Sequence, residues 1–237
     1  MKNTITIHTQ DQYPITATLF EPENANGKLL LVNSATGVKQ QTYYSFAKHF
    51  ADLGFVVITY DYRGVALSKP DQLKGFKASM RTWGNTDYKA VTDFIEEHYP
   101  HHRKFLIGHS VGALILGMNK GSEIFEKFCF VATQNTYFGH LSPRIKMLGL
   151  LGFGLYQPVL TRVKGYFKTY FVNLGESLPK GVSDDWRTLI MNRKSVNRLL
   201  EKTENFSKNL HQEVLYLNMQ DDDWITETGM KLLMNET

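Results

Sequence analysis

Apolar and polar residues alternate over Thr4–Thr9 and again over Thr16–Phe20, with Asp11-Gln12 between them, which predicts an opening β-hairpin. From Lys28 the rhythm changes. Leu29-Leu30-Leu31-Val32 and Phe55–Tyr60 are short continuous apolar runs, as strands buried on both faces require, and Lys104–Ile107 and Lys127–Ala132 repeat the pattern. Between them, helical spacing of apolar residues covers Tyr43–Leu53 up to Gly54, Met80–Tyr99 up to Pro100, and Val111–Asn119 up to Gly121. Strands that alternate with helices in this way predict a mostly parallel sheet with helices on both faces, an α/β fold. From Asn135 to about Lys208 the alternation lapses into helices and loops broken by glycines and prolines. Glu213–Asn218 then resumes as a strand and Thr226–Met234 as a helix. A structureless loop of that length is uncommon, so the expectation is a core over 1–134 and 209–237 interrupted by a helical cap over 135–208.

Composition narrows the picture little. With 237 residues, 42% of them hydrophobic and 21% charged, the chain is neither disordered nor fibrous, and it is long enough to bury roughly 70–75% of its unfolded surface. A single cysteine, Cys129, excludes an intrachain disulfide. The alternating N-terminus lacks the apolar core of a signal peptide, and both features favour a reducing, cytoplasmic setting. The greasiest stretch, Met147–Leu160, is interrupted by Gln157-Pro158 and is too short to span a bilayer. The net charge of +4 is scattered and no nucleic-acid signature accompanies it, so no nucleic-acid partner is expected.

Candidate chemistry concentrates at Gly108-His109-Ser110-Val111-Gly112. An apolar strand leads in and a Gly/Ala/Leu helix leads out, which is the context of a nucleophile elbow. A serine at the tip of such a turn has a strained backbone, so small residues are needed two positions to either side. The helix that follows aims its free amides and positive dipole end at the site. A Gly-rich packing turn with an idle serine is the plain structural alternative. A carboxylate-nucleophile chemistry is excluded because the elbow residue is serine. Dinucleotide binding lacks its Gly-x-Gly-x-x-Gly after the first parallel strand.

Together with this elbow, Asp61-Tyr62-Arg63-Gly64-Val65-Ala66-Leu67-Ser68 and the run Gly175–Val182 followed by Trp186 make the sequence resemble the α/β-hydrolase superfamily, in particular its serine aminopeptidase and monoacylglycerol-lipase-like branch. The first segment departs at Ala66, where the family usually carries glycine. The resemblance implies a carboxylic-ester hydrolase with a small-molecule, lipid-like ester as substrate, no cofactor and no metal. Ser110 would be the nucleophile. The oxyanion would be held by the amides of Val111 and of Ala35, in the loop after the first parallel strand, with Thr36 next in line. The triad acid would be Asp222, with Asp221 and Asp223 as alternatives.

The base is missing. The histidines are His8, His49, His98, His101, His102, His109, His140 and His211, and none follows Asp222. By the resemblance, the chain looks like a hydrolase without its last strand, last helix and catalytic histidine. His109 is expected to point away as a packing residue, His140 to be a distant substitute, and His98, His101 and His102 to form a solvated turn rather than a metal site. The competing reading is a catalytically inactive binding protein on a hydrolase scaffold. Either way the strand at Val214–Asn218 would carry an open edge and favour self-association. The apolar residues Met147, Leu148, Leu150, Leu151, Phe153 and Leu155 are expected to form either an acyl pocket or plain cap core.

Overall fold

The computed structural model describes residues 1–169 and 175–236. The opening hairpin is β1 (Lys2–His8) and β2 (Pro14–Phe20), paired antiparallel from Lys2 opposite Phe20 to His8 opposite Pro14. β3 (Lys28–Asn33) leads into α1 (Tyr44–Asp52), and Gly54, at φ +92°, turns the chain into β4 (Phe55–Tyr60). A helical run follows, with α2 (Met80–Thr82) and α3 (Lys89–His98) joined by a π-helical stretch over Trp83–Tyr88. β5 (Arg103–His109) enters the elbow, α4 (Val111–Leu114) leaves it, and β6 (Lys127–Val131) completes this half. The cap contributes α5 (Pro143–Gly149), a second π-helical stretch over Leu150–Tyr156, α6 (Gln157–Lys164), the two-residue strands β7 (Tyr166–Phe167) and β8 (Leu178–Pro179), α7 (Lys180–Met191) and α8 (Val196–Leu200). β9 (Glu213–Leu217) and α9 (Glu227–Glu236) return to the core.

The strands form one seven-stranded sheet in the order β1-β2-β4-β3-β5-β6-β9, parallel from β4 to β9 with an antiparallel hairpin at one edge. This is the mostly parallel sheet covered by helices that the residue pattern predicts. Each expected strand is present with its ends shifted by a residue or two. One helix is shorter than its periodicity implies. α4 stops at Leu114, because Phe206 donates its amide to the Gly117 carbonyl at 2.7 Å and the Ser207 backbone crosses where a Gly117 side chain would sit.

The two faces of the sheet are covered unequally. Ile7, Leu29, Leu31, Val56, Ile58 and Leu106 belong to the main core with Trp83, Val91 and the cap residues Trp186 and Leu189. On the other face α1 packs over Phe20, Leu30, Val32 and Val57. Beyond it, Leu215 and Leu217 on the edge strand β9 stand 59% and 40% exposed. An exposed edge with apolar side chains is a template for pairing. Light scattering at rising concentration should show association that Leu217→Lys reverses; a monomer throughout would refute the open edge as a contact surface. Among the described residues no helix is long and apolar enough to cross a membrane.

The segment after β4 is held by a buried ion pair. Arg63 donates from Nε to Asp87 Oδ1 at 2.6 Å and from its own amide to Asp87 Oδ2 at 2.9 Å, and its outer nitrogens take both oxygens of Asp11 at 2.6 and 2.8 Å. Ala66 sits at φ 40°, the left-handed region that glycine occupies without strain, which is the physical reason for a glycine preference there. Its amide is held by Glu176 Oε2 at 3.1 Å, so the cap is tied to this loop.

Candidate active site

The turn between β5 and α4 is tight and strained at Ser110. Ser110 sits at φ 52° and ψ −116°, its amide donates to the Val131 carbonyl at 2.9 Å, and its carbonyl accepts from Ala113 at 3.0 Å. A β-carbon on Gly108 would lie 2.7 Å from the Ala113 backbone, and one on Gly112 only 2.4 Å from the Asn33 carbonyl oxygen. These contacts explain why both positions are glycine. Asn33 in turn donates from Nδ2 to the Gly112 carbonyl at 3.0 Å and accepts at Oδ1 from the buried Tyr60 hydroxyl at 2.9 Å. The turn after β3 is thereby bolted to the first turn of α4.

Ser110 opens on a pocket of about 200 Å³ lined by Ala35, Thr36, His109, Leu114, Gln134, Trp186, Asp222 and Trp224, among others. The elbow, the loop after β3, the turn after β9 and the cap therefore meet at one place. Ser110 is half-buried, and its hydroxyl has no hydrogen-bond partner among the described residues. The Val111 amide, at the first position of α4, has no partner within that helix.

The second expected oxyanion donor is not free. The Ala35 amide donates to the Tyr43 hydroxyl at 3.0 Å, and the same hydroxyl lies 2.9 Å from Nδ1 of His109. Burial pushes the Tyr43 hydroxyl up to about 12, so it stays protonated. The neighbouring Thr36 is fixed instead through its side chain, which accepts from Trp186 Nε1 at 2.9 Å. Tyr43 gives no sequence signal for this role, lying eight residues from Ala35 and 66 from His109.

His109 both packs and reaches the site. It is a lining residue of the pocket beside Ser110, while its ring packs edge-on against Tyr43 with Nδ1 2.9 Å from the hydroxyl. Burial lowers its proton affinity and the Asp222 carboxylate pulls in the opposite direction, so the imidazole sits in the field of that acid. Of the three clustered aspartates, Asp222 is the one in the pocket lining. Its carboxylate accepts from the Trp224 amide at 2.9 Å, a local turn that fixes its direction. Asp223 points outward to Arg144 at 3.6 Å, with both side chains exposed. His140 stays outside the lining, its ring against Tyr137 and its carbonyl accepting from Thr226 at 2.8 Å. His98 stacks on Phe94, and no cluster of metal-binding side chains exists among the described residues.

Of the two expectations for the apolar run of the cap, an acyl pocket or plain cap core, the acyl pocket is not what forms. None of Met147, Leu148, Leu150, Leu151, Phe153 and Leu155 lines the pocket at Ser110; Phe153 is fully buried cap core, while Met147, Leu151 and Leu155 face solvent. The apolar neighbour of the site is a different cavity of about 390 Å³ between α4, β6, β9, α8 and α9, and among the described residues Leu114 is common to both linings.

The sheet order, the strained serine between β5 and α4 and the acid beyond the following strands decide the fold. The chain is an α/β-hydrolase-fold protein. A profile of the family Serine aminopeptidase, S33, matches residues 26–119, from the first parallel strand to just past the elbow. Solved structures similar to this α/β-hydrolase-fold protein include a putative dipeptidyl aminopeptidase IV from Bacteroides ovatus, at 14% identity over 99% of this chain and 30% of that one, with a TM-score of 0.61. A highly thermostable carboxyl esterase from Bacillus coagulans shares 11% identity over 92% of this chain and 89% of its own, with a TM-score of 0.57. A bromoperoxidase from Bacillus anthracis reaches 17% identity over 99% and 87%, also at 0.57. None of the curated proteins matches the chain.

Proposed function

We propose that this protein is a serine hydrolase acting on a carboxylic ester. The observation that carries the reading is the half-buried Ser110 hydroxyl, presented on a strained turn into a pocket that also holds Asp222 and the loop after β3. Ser110 would attack the acyl carbon, the Val111 amide and an amide of the Ala35–Thr36 turn would hold the developing oxyanion, and Asp222 would orient an imidazole. Among the described residues His109 is the imidazole in this lining; burial keeps it neutral, the form able to accept a proton. It makes no direct hydrogen bond to Ser110, so the serine proton would reach it through a water. The apolar cavity beyond Leu114 would receive the greasy part of the ester.

The competing reading, a binding protein without catalysis, is favoured by the Tyr43 hydroxyl on the Ala35 amide and by the lack of an imidazole bonded to Ser110 among the described residues. A fluorophosphonate probe separates the two. The expected result is covalent labelling that Ser110→Ala abolishes, with slow but measurable p-nitrophenyl ester turnover. Absence of labelling in folded protein would leave the binding reading in possession.

A further inference from the structure

The cap carries a surface that the site does not use. Residues 143–164 form one unbroken helical rod, α5, the π-helical stretch and α6. Ile145, Gly149, Phe153, Gln157 and Thr161, spaced by four, are buried. Two residues further on, also spaced by four, Met147, Leu151, Leu155, Val159 and Val163 are 58%, 55%, 65%, 55% and 69% exposed. A four-residue step overshoots one turn of an α-helix, while the wider π turn undershoots, so the mixture keeps the outer row in line. The usual order is inverted: the outward row is wholly apolar, and the inward row contains Gln157, whose Nε2 donates to Ser183 and Asp184, and Thr161, whose hydroxyl donates to the Gln157 carbonyl. A contiguous exposed apolar row of this kind marks an interaction surface.

Charge selects the partner. From Pro143 to Lys168 the sequence has no Asp or Glu, and it carries Arg144, Lys146, Arg162, Lys164 and Lys168, all exposed. An apolar stripe edged by cations, with no acid in the segment itself and Arg144 paired with Asp223 at 3.6 Å, fits the headgroup boundary of an anionic lipid bilayer, with the helix lying in the plane of the surface. From these observations we infer that residues 143–168 dock the protein onto anionic lipid membranes. The cap helix is packed through Phe153 against Trp186, and Trp186 bonds Thr36 in the pocket, so a docked cap would sit one side chain from the site. The docking itself is independent of the hydrolase reading, because it requires no chemistry at Ser110.

Flotation with vesicles tests it. Wild-type protein should float with 3:1 phosphatidylcholine/phosphatidylglycerol vesicles, float poorly with phosphatidylcholine alone, and release as salt rises. Leu151→Glu/Leu155→Glu should lose at least tenfold in partitioning with an unchanged melting temperature, since both side chains already face water. Lys146→Glu/Arg162→Glu should remove the preference for anionic vesicles, each cation near such a surface giving about a fivefold gain. Failure of wild type to float, or equal flotation of the leucine variant, overturns the inference. So does a soluble oligomer that the leucine variant dissolves, which would assign the stripe to a second copy of the chain. Fluorophosphonate labelling of Ser110 in the leucine variant reads the hydrolase proposal separately.

Discussion

Tyr43→Phe should react with a fluorophosphonate, and turn over an ester, on the order of a hundredfold faster than wild type while melting at a lower temperature. The Ala35 amide is the second donor an oxyanion would use, and in the structure the Tyr43 hydroxyl occupies it at 3.0 Å. One oxyanion donor is worth about 10²–10³ in rate, so a donor held by an internal hydroxyl withholds a gain of that size until it is released. Phenylalanine keeps the ring that packs edge-on to His109 and removes only the acceptor. The cost falls on stability. The Ala35 amide, in a residue 7% exposed, loses its partner, and Nδ1 of His109 loses its own. An unsatisfied buried donor costs about 1–3 kcal/mol, which for a chain of this size lowers the melting temperature by about 2–4 °C per kcal/mol. Stopped-flow labelling and calorimetry on the same variant check both halves. A slower reaction would mean that Tyr43 serves the chemistry through His109 and does not block it.

Much of this architecture is written locally. The strand runs at Leu29–Val32 and Phe55–Tyr60 are apolar because both faces are buried, and Gly108 and Gly112 are small because a neighbouring backbone lies where a β-carbon would go. Such constraints act within a few residues or repeat with a fixed period, so they can be read without coordinates. What stays hidden is carried by contacts far apart in sequence. The end of α4 is set by Phe206, far downstream in the sequence, much as Gln134 is tied to Thr226 in the turn after β9. The Tyr43 hydroxyl joins Ala35 to His109 across three elements. The choice among Asp221, Asp222 and Asp223 likewise falls to the turn geometry, which aims Asp222 inward and sends Asp223 to Arg144. The apolar run after Met147 shows the converse error: its composition is plain, but which face the cap buries depends on α7, and the most apolar row is the one turned to solvent.

The largest loss of stability is expected from Arg63→Met. Arg63 is 4% exposed and Asp87 fully buried, and the pair is joined by two hydrogen bonds, at 2.6 and 2.9 Å. Removing the cation strands a carboxylate in the interior, a change that costs about 3–5 kcal/mol against a typical total of 5–15. Burial already pushes Asp87 up to about 7 even with Arg63 pulling it down; without Arg63 it rises further. A carboxyl whose folded value lies above its unfolded one favours the fold at acid pH and ceases to do so as pH climbs through the folded value. Asp11 acts in the same sense: Arg63 holds it well below the usual carboxylate range, a contribution present at neutral pH and lost on acidification, though more than half its side chain is in water and its share is small. The deficit of Arg63→Met relative to wild type should therefore be small near pH 4 and grow through neutrality in denaturant titrations. Adding Asp87→Asn removes the stranded charge and should restore most of the loss above pH 7. If the double variant is as unstable as the single one, the cost lies in lost packing of the guanidinium over Tyr13, 4.9 Å from its ring centre, and not in the buried charge.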